Sequence, residues 1–162
     1  MRYNKIRKMD ISNGPGVRVS IFMQGCSFHC KDCFNQETWD FAGGQELNEK
    51  AINKLIDLAK PDYIVGLSIL GGEPMHPKNI DGTLNLIKEF KKAYPKKNVW
   101  VWTGYLLEDL KEHDLSNIDV LVDGRFVLAK ANPTLKWKGS SNQRVIDVKK
   151  SLKQNKICLK ES

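Results

Sequence analysis

Three of the four cysteines in this chain are close neighbours in the stretch GCSFHCKDC, where Cys26, Cys30 and Cys33 follow the spacing C-x3-C-x2-C. Thiolates are soft ligands that bind zinc, copper(I) or iron–sulfur clusters. A structural zinc ion takes four protein ligands, usually from two separated pairs, and a four-iron cluster normally takes four cysteines. The triplet is one ligand short of either site, so the fourth ligand decides which chemistry is possible.

Spacing alone leaves two ways to complete the site. In the first, the three cysteines hold a four-iron cluster whose fourth iron lacks a protein ligand, so that this iron can bind a substrate. A cluster with such an open iron would be sensitive to oxygen, which indicates a protein that functions under anaerobic conditions. In the second, a fourth protein ligand completes a zinc site. The candidates for that ligand are His29, His76, His113 and Cys158. The absence of a second ligand pair favours the cluster.

The composition predicts a soluble cytoplasmic domain. The chain has 162 residues, 41% of them apolar, which is enough for one domain with a real core. Every apolar run is interrupted before it could span a bilayer, and the basic N-terminus lacks a secretory stretch, so we expect no membrane association. In the reducing cytosol, clustered cysteines are metal ligands more often than disulfide partners.

The chain is basic, with 26 Lys and Arg against 19 Asp and Glu and a net charge of +7. Such a surface could attract nucleic acid or an acidic protein. The lysines concentrate in two segments, 88–97 and 149–160, without interleaved aromatic residues or a nucleic-acid-binding motif. We therefore interpret them as a solvated helix face and a frayed, disordered tail, and we predict no nucleic-acid partner.

Strands and helices alternate along the sequence, which predicts an α/β fold with parallel strands and right-handed crossovers. The chain is too short for eight βα units, so the predicted architecture is a single-domain, open partial (β/α) barrel. The cysteine loop and the turns GGEP, TGY and DGR each follow a strand and should share one rim. The predicted strands are 17–24, 63–70, 98–104, 118–124 and a weaker 143–148; the predicted helices are 48–60, 79–94 and a short 106–112.

The cysteine spacing, directly after the first predicted strand, resembles the cluster motif of radical S-adenosylmethionine enzymes. The resemblance implies a [4Fe–4S] cluster on Cys26, Cys30 and Cys33, whose open iron is chelated by the amino and carboxylate groups of S-adenosylmethionine. It also implies that the reduced cluster donates an electron, the sulfonium breaks and a 5′-deoxyadenosyl radical abstracts hydrogen. The protein then supplies placement and electrostatics while the cofactors carry the chemistry.

Six motifs in chain order resemble the activating proteins of anaerobic ribonucleoside-triphosphate reductase, a family of glycyl-radical enzyme activases. This resemblance implies that the protein substrate is the reductase, whose glycine becomes the radical, and that reduced flavodoxin or a similar donor supplies the electron. It covers about Asp10 to Val148, so we predict an activase domain over 1–148 and a basic C-terminal tail over 149–162. The motifs are NGPGVR, FMQGCSFHCKDCFNQETW, GGEPMHP, VWTGY, LVDGRF and WKGSSNQRVIDV.

The same resemblance assigns residues to S-adenosylmethionine. The stretch after the second cysteine would lie against the bound cofactor, and Phe34 could pack on the adenine. The glycines of the GGEP turn let the backbone approach the methionine amino group. Polar groups near the end of the chain could reach the methionine carboxylate or ribose. The residues assigned are Asp32, Cys33, Phe34, Gly71, Gly72, Glu73, Asp123, Asn142 and Arg144.

Two other functions stay open at this point. One is an activase for a different glycyl-radical enzyme of the pyruvate formate-lyase type; the shortness of this chain and its VWTGY and GSSNQR motifs argue against it. The other is a non-catalytic zinc-binding module that docks an acidic partner through its lysines. Metal and sulfide analysis separates this module from an activase.

The three-cysteine assignment predicts that Cys158 is not a metal ligand. Replacement Cys158→Ser should leave the iron and acid-labile sulfide content of anaerobically reconstituted protein unchanged, because Cys158 is remote in sequence from the triplet. Replacement Cys30→Ser, the matched control, should lose most of both. A loss of iron in the Cys158 variant would contradict the assignment.

Overall fold

The computed structural model describes residues 1–30 and 36–160. In this part of the chain, seven strands form one mixed sheet in the order β3-β1-β2-β4-β5-β6-β7. The pairs β2–β4, β4–β5 and β5–β6 are parallel, and the pairs nearer the edges are antiparallel. The strands are β1 (Arg2–Asp10), β2 (Val17–Met23), β3 (Gln45–Glu46), β4 (Ile64–Gly71), β5 (Asn98–Trp102), β6 (Val120–Asp123) and β7 (Arg144–Asp147).

The first two helices lie where the sequence predicted them, whereas the third was not predicted and the predicted helix 106–112 is only a 3-10 turn. Asn48 caps the first helix by accepting a hydrogen bond from the Ala51 amide, and Pro95 follows the end of the second. In the described residues no helix is both long and apolar enough to cross a membrane. The helices are α1 (Glu49–Leu58), α2 (Ile80–Ala93) and α3 (Val148–Gln154), with 3-10 turns at Gln36–Thr38, Leu107–Leu110 and Leu128–Lys130.

The predicted α/β class and parallel centre of the sheet are confirmed, while the edges differ from the prediction. Strand β7 runs antiparallel to β6, so the prediction of parallel strands throughout is wrong there. Strand β1 was not predicted, because its sequence RYNKIRKMD has no alternating apolar pattern and buries only Tyr3 and Asp10. The strand forms because it pairs with β2, and such a pairing leaves no periodic pattern in the sequence.

The sheet has a helix-covered face and an opposite face that carries polar and aromatic side chains. Along β2, Val19, Ile21 and Met23 pack in the main core with residues of α1 and α2. Phe22 points to the other face, as does Trp100 of β5, which packs in a separate small cluster. This alternation follows from the two-residue period of a strand, and it leaves the second face available for a cavity.

The basic tail is ordered through residue 160, so the expectation of a disordered tail is wrong for the described residues. Asp147 caps α3 by accepting from the Lys150 amide, and Leu159 bridges back to Ile146 of β7. Cys158 is buried, and its amide donates to the Ser151 hydroxyl oxygen at 2.8 Å. The domain boundary at residue 148 stays a prediction.

A buried arginine ties the GPG turn to the centre of the sheet. The Arg18 guanidinium is fully buried and donates to the Ser68 hydroxyl at 2.7 Å and to the carbonyls of Leu67 and Pro15 at 3.0 and 3.2 Å. Its Cζ lies 5.7 Å from the centre of the Trp100 ring. Burial lowers the pKa of Arg18 to about 10. The arginine that accompanies the GPG motif thus has a structural role.

Arg18→Met should lower the free energy of unfolding by about 3 kcal/mol, because it leaves buried carbonyl groups without their donor. Lys8→Met, which replaces an exposed cation on β1, should change it by less than about 0.5 kcal/mol. Urea denaturation of the metal-free protein measures both. Equal effects of the two substitutions would contradict the role of Arg18.

Candidate metal centre

A cavity of about 530 Å³ lies at the carboxyl ends of the parallel strands. Its lining includes residues from the cysteine loop after β2, the GGEP turn after β4, the TGY turn after β5 and the DGR turn after β6. The prediction that these four turns share one rim is confirmed. The residues that they contribute are Cys26, Phe28, Cys30, Gly71, Gly72, Glu73, Thr103, Gly104, Gly124 and Arg125.

The first part of the cysteine loop is held by backbone hydrogen bonds on both sides. The Gly25 amide donates to the Thr38 carbonyl at 2.6 Å, and the Cys26 amide donates to the Trp39 carbonyl at 3.1 Å. On the other side, the Gly25 carbonyl accepts from the Glu73 amide at 2.7 Å. The position of Cys26 is therefore set by two neighbouring segments and not by the loop alone.

The two described thiols of the triplet face the same cavity, Cys26 buried and Cys30 half-buried. Burial raises the pKa of the Cys26 thiol, against the lowering effect of the Phe28 and His29 amides. Among residues 1–30 and 36–160, no three His, Cys, Asp or Glu side chains are grouped as a metal site. The third cysteine, Cys33, lies outside these residues, as do Asp32 and Phe34. Two convergent thiols beside a cavity fit the soft-ligand chemistry of an iron–sulfur cluster.

The glycines of the GGEP turn are required by backbone packing. Gly71 has a φ of 109°, and a Cβ there would lie 2.4 Å from the Met23 amide nitrogen. A Cβ on Gly72 would lie 2.5 Å from the Gly25 carbonyl oxygen and 2.6 Å from that of Thr38. A side chain at Gly71 would push the turn away from β2, and one at Gly72 would push it off the cysteine loop. Sequence reasoning attributed these glycines to ligand approach, whereas the contacts also show an intramolecular reason.

Glu73 joins the GGEP turn to the TGY turn. Its carboxylate is 1% exposed and accepts hydrogen bonds from the Met75 amide at 2.8 Å, the Thr103 hydroxyl at 2.6 Å and the Gly104 amide at 2.6 Å. Burial raises its pKa to about 7, although the three donors act in the opposite direction. The side chain lines the cavity while its oxygens are engaged by the protein.

Asn79 is a buried contributor to the site that sequence reasoning missed. Its side-chain amide donates to the carbonyls of Glu73, Gln24 and Gly25 at 2.9, 3.3 and 3.4 Å. One residue therefore connects the end of β2, the cysteine loop and the GGEP turn. In sequence Asn79 reads as the start of a helix, so local patterning carries no signal for this second role.

The rest of the cavity wall is aromatic and basic. Trp102 lines the cavity, and its indole N–H donates to the Trp137 carbonyl at 2.7 Å. Sequence reasoning missed most of this wall because its residues come from separate strands and from the segment that joins β6 to β7. The aromatic residues are Phe22, Phe28, Trp102, Phe126 and Trp137, and the basic ones are Arg7, Arg125 and Lys138.

Comparison with known proteins identifies the family. Residues 12–146 match the family described as "4Fe-4S single cluster domain". A protein from Vibrio cholerae named anaerobic ribonucleoside-triphosphate reductase-activating protein is 42% identical over 148 residues, 88% of this chain and 96% of that protein. Proteins of the same name from phage T4 and Escherichia coli K12 are 40% and 39% identical over 90% of this chain, and the matches cover 93% and 97% of those proteins. This chain belongs to the reductase-activating protein family.

In this chain, three of the residues assigned to the cofactor from sequence pair with other protein groups. Asp123 is buried and accepts from the Arg144 guanidinium at 2.6 and 2.9 Å and from the Leu107 amide at 2.8 Å. Arg144 also bonds Glu108 at 2.6 Å. The Asn142 side-chain amide donates to the Arg125 carbonyl at 2.8 Å. None of Asp123, Asn142 and Arg144 is among the described residues that line the cavity, although Gln143 is.

Arg144→Ala should lower the free energy of unfolding of the metal-free activating protein by about 3 kcal/mol, because Asp123 would stay buried without its cation. Glu108→Gln removes the other, half-exposed partner of Arg144 and should cost less than about 1 kcal/mol. Chemical denaturation compares the two variants. An Arg144 variant no less stable than the Glu108 variant would show that the pair does not support the fold.

Proposed function

We propose that this chain activates an anaerobic ribonucleoside-triphosphate reductase by generating the glycyl radical of that enzyme, with S-adenosylmethionine and a [4Fe–4S] cluster as cofactors. The observation that carries the proposal is the meeting of two thiols of the C-x3-C-x2-C triplet with the GGEP turn at one cavity wall, in a member of this family. The names of the relatives supply the target enzyme.

Cys26, Cys30 and Cys33 would hold the cluster. When bound, it supplies the electron that cleaves S-adenosylmethionine to methionine and the deoxyadenosyl group that takes hydrogen from the target glycine. The residues of this chain position the cluster-binding loop. Hydrogen bonds to Thr38, Trp39 and Glu73 hold the cysteine loop at the end of β2. The cavity volume lies in the range of about 300–1,000 Å³ that is usual for small-molecule sites.

The backbone of Gly71 and Gly72 is proposed to face the methionine amino group, with Glu73 holding the turn in place through Thr103 and Gly104. Asp32, Cys33 and Phe34 are proposed to lie along the cofactor, next to the described part of the loop. Asp123, Asn142 and Arg144 would act indirectly, because Arg144 donates to Asp123 and Asn142 donates to the Arg125 carbonyl of the DGR turn. The aromatic wall would exclude water from the reacting groups.

The sheet is proposed to form the open partial (β/α) barrel of radical S-adenosylmethionine enzymes. Four parallel strands with their carboxyl ends at the cavity support this architecture. A partial barrel leaves a flank at which a loop of the reductase could enter with its glycine. Reduced flavodoxin or a similar low-potential donor is proposed as the source of the electron.

Electron paramagnetic resonance tests the proposal. Anaerobically reconstituted, dithionite-reduced protein should give a [4Fe–4S] signal that changes shape when S-adenosylmethionine is added. Addition of the reductase should then produce a glycyl radical signal. Cys30→Ser should abolish the cluster signal, and Cys158→Ser, the matched cysteine control, should retain it.

Three outcomes would overturn the proposal at different points. A cluster signal that does not respond to S-adenosylmethionine would indicate an electron carrier. One tightly bound zinc without acid-labile sulfide would indicate a zinc-binding interaction module. A response to S-adenosylmethionine without a radical on the reductase would indicate another glycyl-radical enzyme as the target, such as one of the pyruvate formate-lyase type.

A further inference from the structure

Besides its backbone hydrogen bonds, the cysteine loop has a side-chain contact at Phe28. There, the Arg125 guanidinium of the DGR turn donates to the Phe28 carbonyl at 3.2 Å. The Cζ of Arg125 also lies 4.7 Å from the centre of the Phe28 ring, within the range of a cation–π contact. Phe28 stands between Cys26 and Cys30, so the contact acts on the segment that separates the two described thiols.

Phe28 is enclosed by the TGY turn as well as by Arg125. Its ring centre lies 4.8 Å from that of Tyr105, with the planes tilted by 60°. A Cβ on Gly104 would lie 2.5 Å from the Phe28 ring, so this glycine leaves the space that the ring occupies. The ring is thereby held between the turns that follow β5 and β6.

The DGR turn that presents Arg125 is itself fixed in place. The side-chain amides of Asn142 and Gln143 donate to the carbonyls of Arg125 and Gly124 at 2.8 and 2.9 Å. The Gly124 amide donates to the Tyr105 carbonyl at 3.3 Å. The segment SNQR, residues 141–144, therefore supports the DGR turn, and the DGR turn supports the cysteine loop.

We propose that Arg125 is a positioning residue for the cysteine loop: through Phe28 it holds the segment between Cys26 and Cys30 in the cluster-binding arrangement before the cluster is present. The inference rests on the proposed function for the role of the loop, but the contact itself joins two groups of this chain. It also gives the DGR and SNQR motifs a shared purpose that requires no contact with the cofactor.

Hydrogen–deuterium exchange on the full-length, metal-free protein tests this. In Arg125→Ala, amide exchange of residues 25–30 should become about fivefold faster, as expected for the loss of one hydrogen bond and one cation–π contact. Exchange in the strands should not be accelerated more than exchange in the loop, and the melting temperature should fall by no more than about 4 °C. Arg125→Lys keeps the cation over the ring and should restore part of the protection.

Lys136→Ala is the matched control. Lys136 is an exposed cation in the same β6–β7 connection, and its Nζ lies 5.5 Å from the centre of the Trp137 ring. Its removal should leave exchange of residues 25–30 unchanged. Unchanged exchange in Arg125→Ala, or equal acceleration in both variants, would overturn the proposal.

A second measurement isolates the Phe28 contact. In Phe28→Leu the effect of Arg125→Ala on loop exchange should shrink, because the ring that the guanidinium contacts is gone; additive effects would overturn the proposal.

With the cluster loaded, Arg125→Ala should weaken the response of the resonance signal to S-adenosylmethionine more than Lys136→Ala does, and equal responses would overturn it. If the radical chemistry itself were absent, the exchange result would still stand, so the two failures are distinguishable.

Discussion

The Gly25 carbonyl is the acceptor on which the arrangement of the site depends. It accepts from the Glu73 amide and from the Asn79 side chain, so the turn after β4 and the start of α2 both hold the first residue of the cysteine loop. The close approach requires Gly72, where a Cβ would meet the same oxygen. Buried backbone groups are costly to leave unpaired, so these bonds constrain where the loop can lie.

The buried Glu73 carboxylate extends this constraint to a third turn. A charged group out of contact with water is tolerated only when donors surround it, and the amides of Met75 and Gly104 with the Thr103 hydroxyl fill that role. The GGEP and TGY turns therefore hold each other in place. Motifs that are far apart in sequence become parts of one hydrogen-bonded assembly around the cavity.

Hydrogen bonds within the protein also explain the polar residues near the end of the chain. Buried Asp123 pairs with the partly exposed Arg144 at the junction of β6 and β7, and the Asn142 side chain donates to a backbone carbonyl of the DGR turn. These residues looked like ligand contacts because polar side chains in a motif suggest recognition. Their partners show that they support the cavity wall, and a contact with the cofactor stays a prediction.

The apolar period of the helices and the turn motifs were enough to predict α1, α2, the parallel centre of the sheet and the shared rim. These features depend on local residue patterns, which can be read directly from the sequence. The soft-metal site indicated by the spacing of the cysteines stays a prediction. The strand β1, the direction of β7 and the ordered end of the chain depend on pairing partners remote in sequence. So do the bonds of Asn79, Glu73 and Arg125. Only the tertiary structure decides them, because a hydrogen bond or ring contact between distant residues leaves no period in the sequence of either partner.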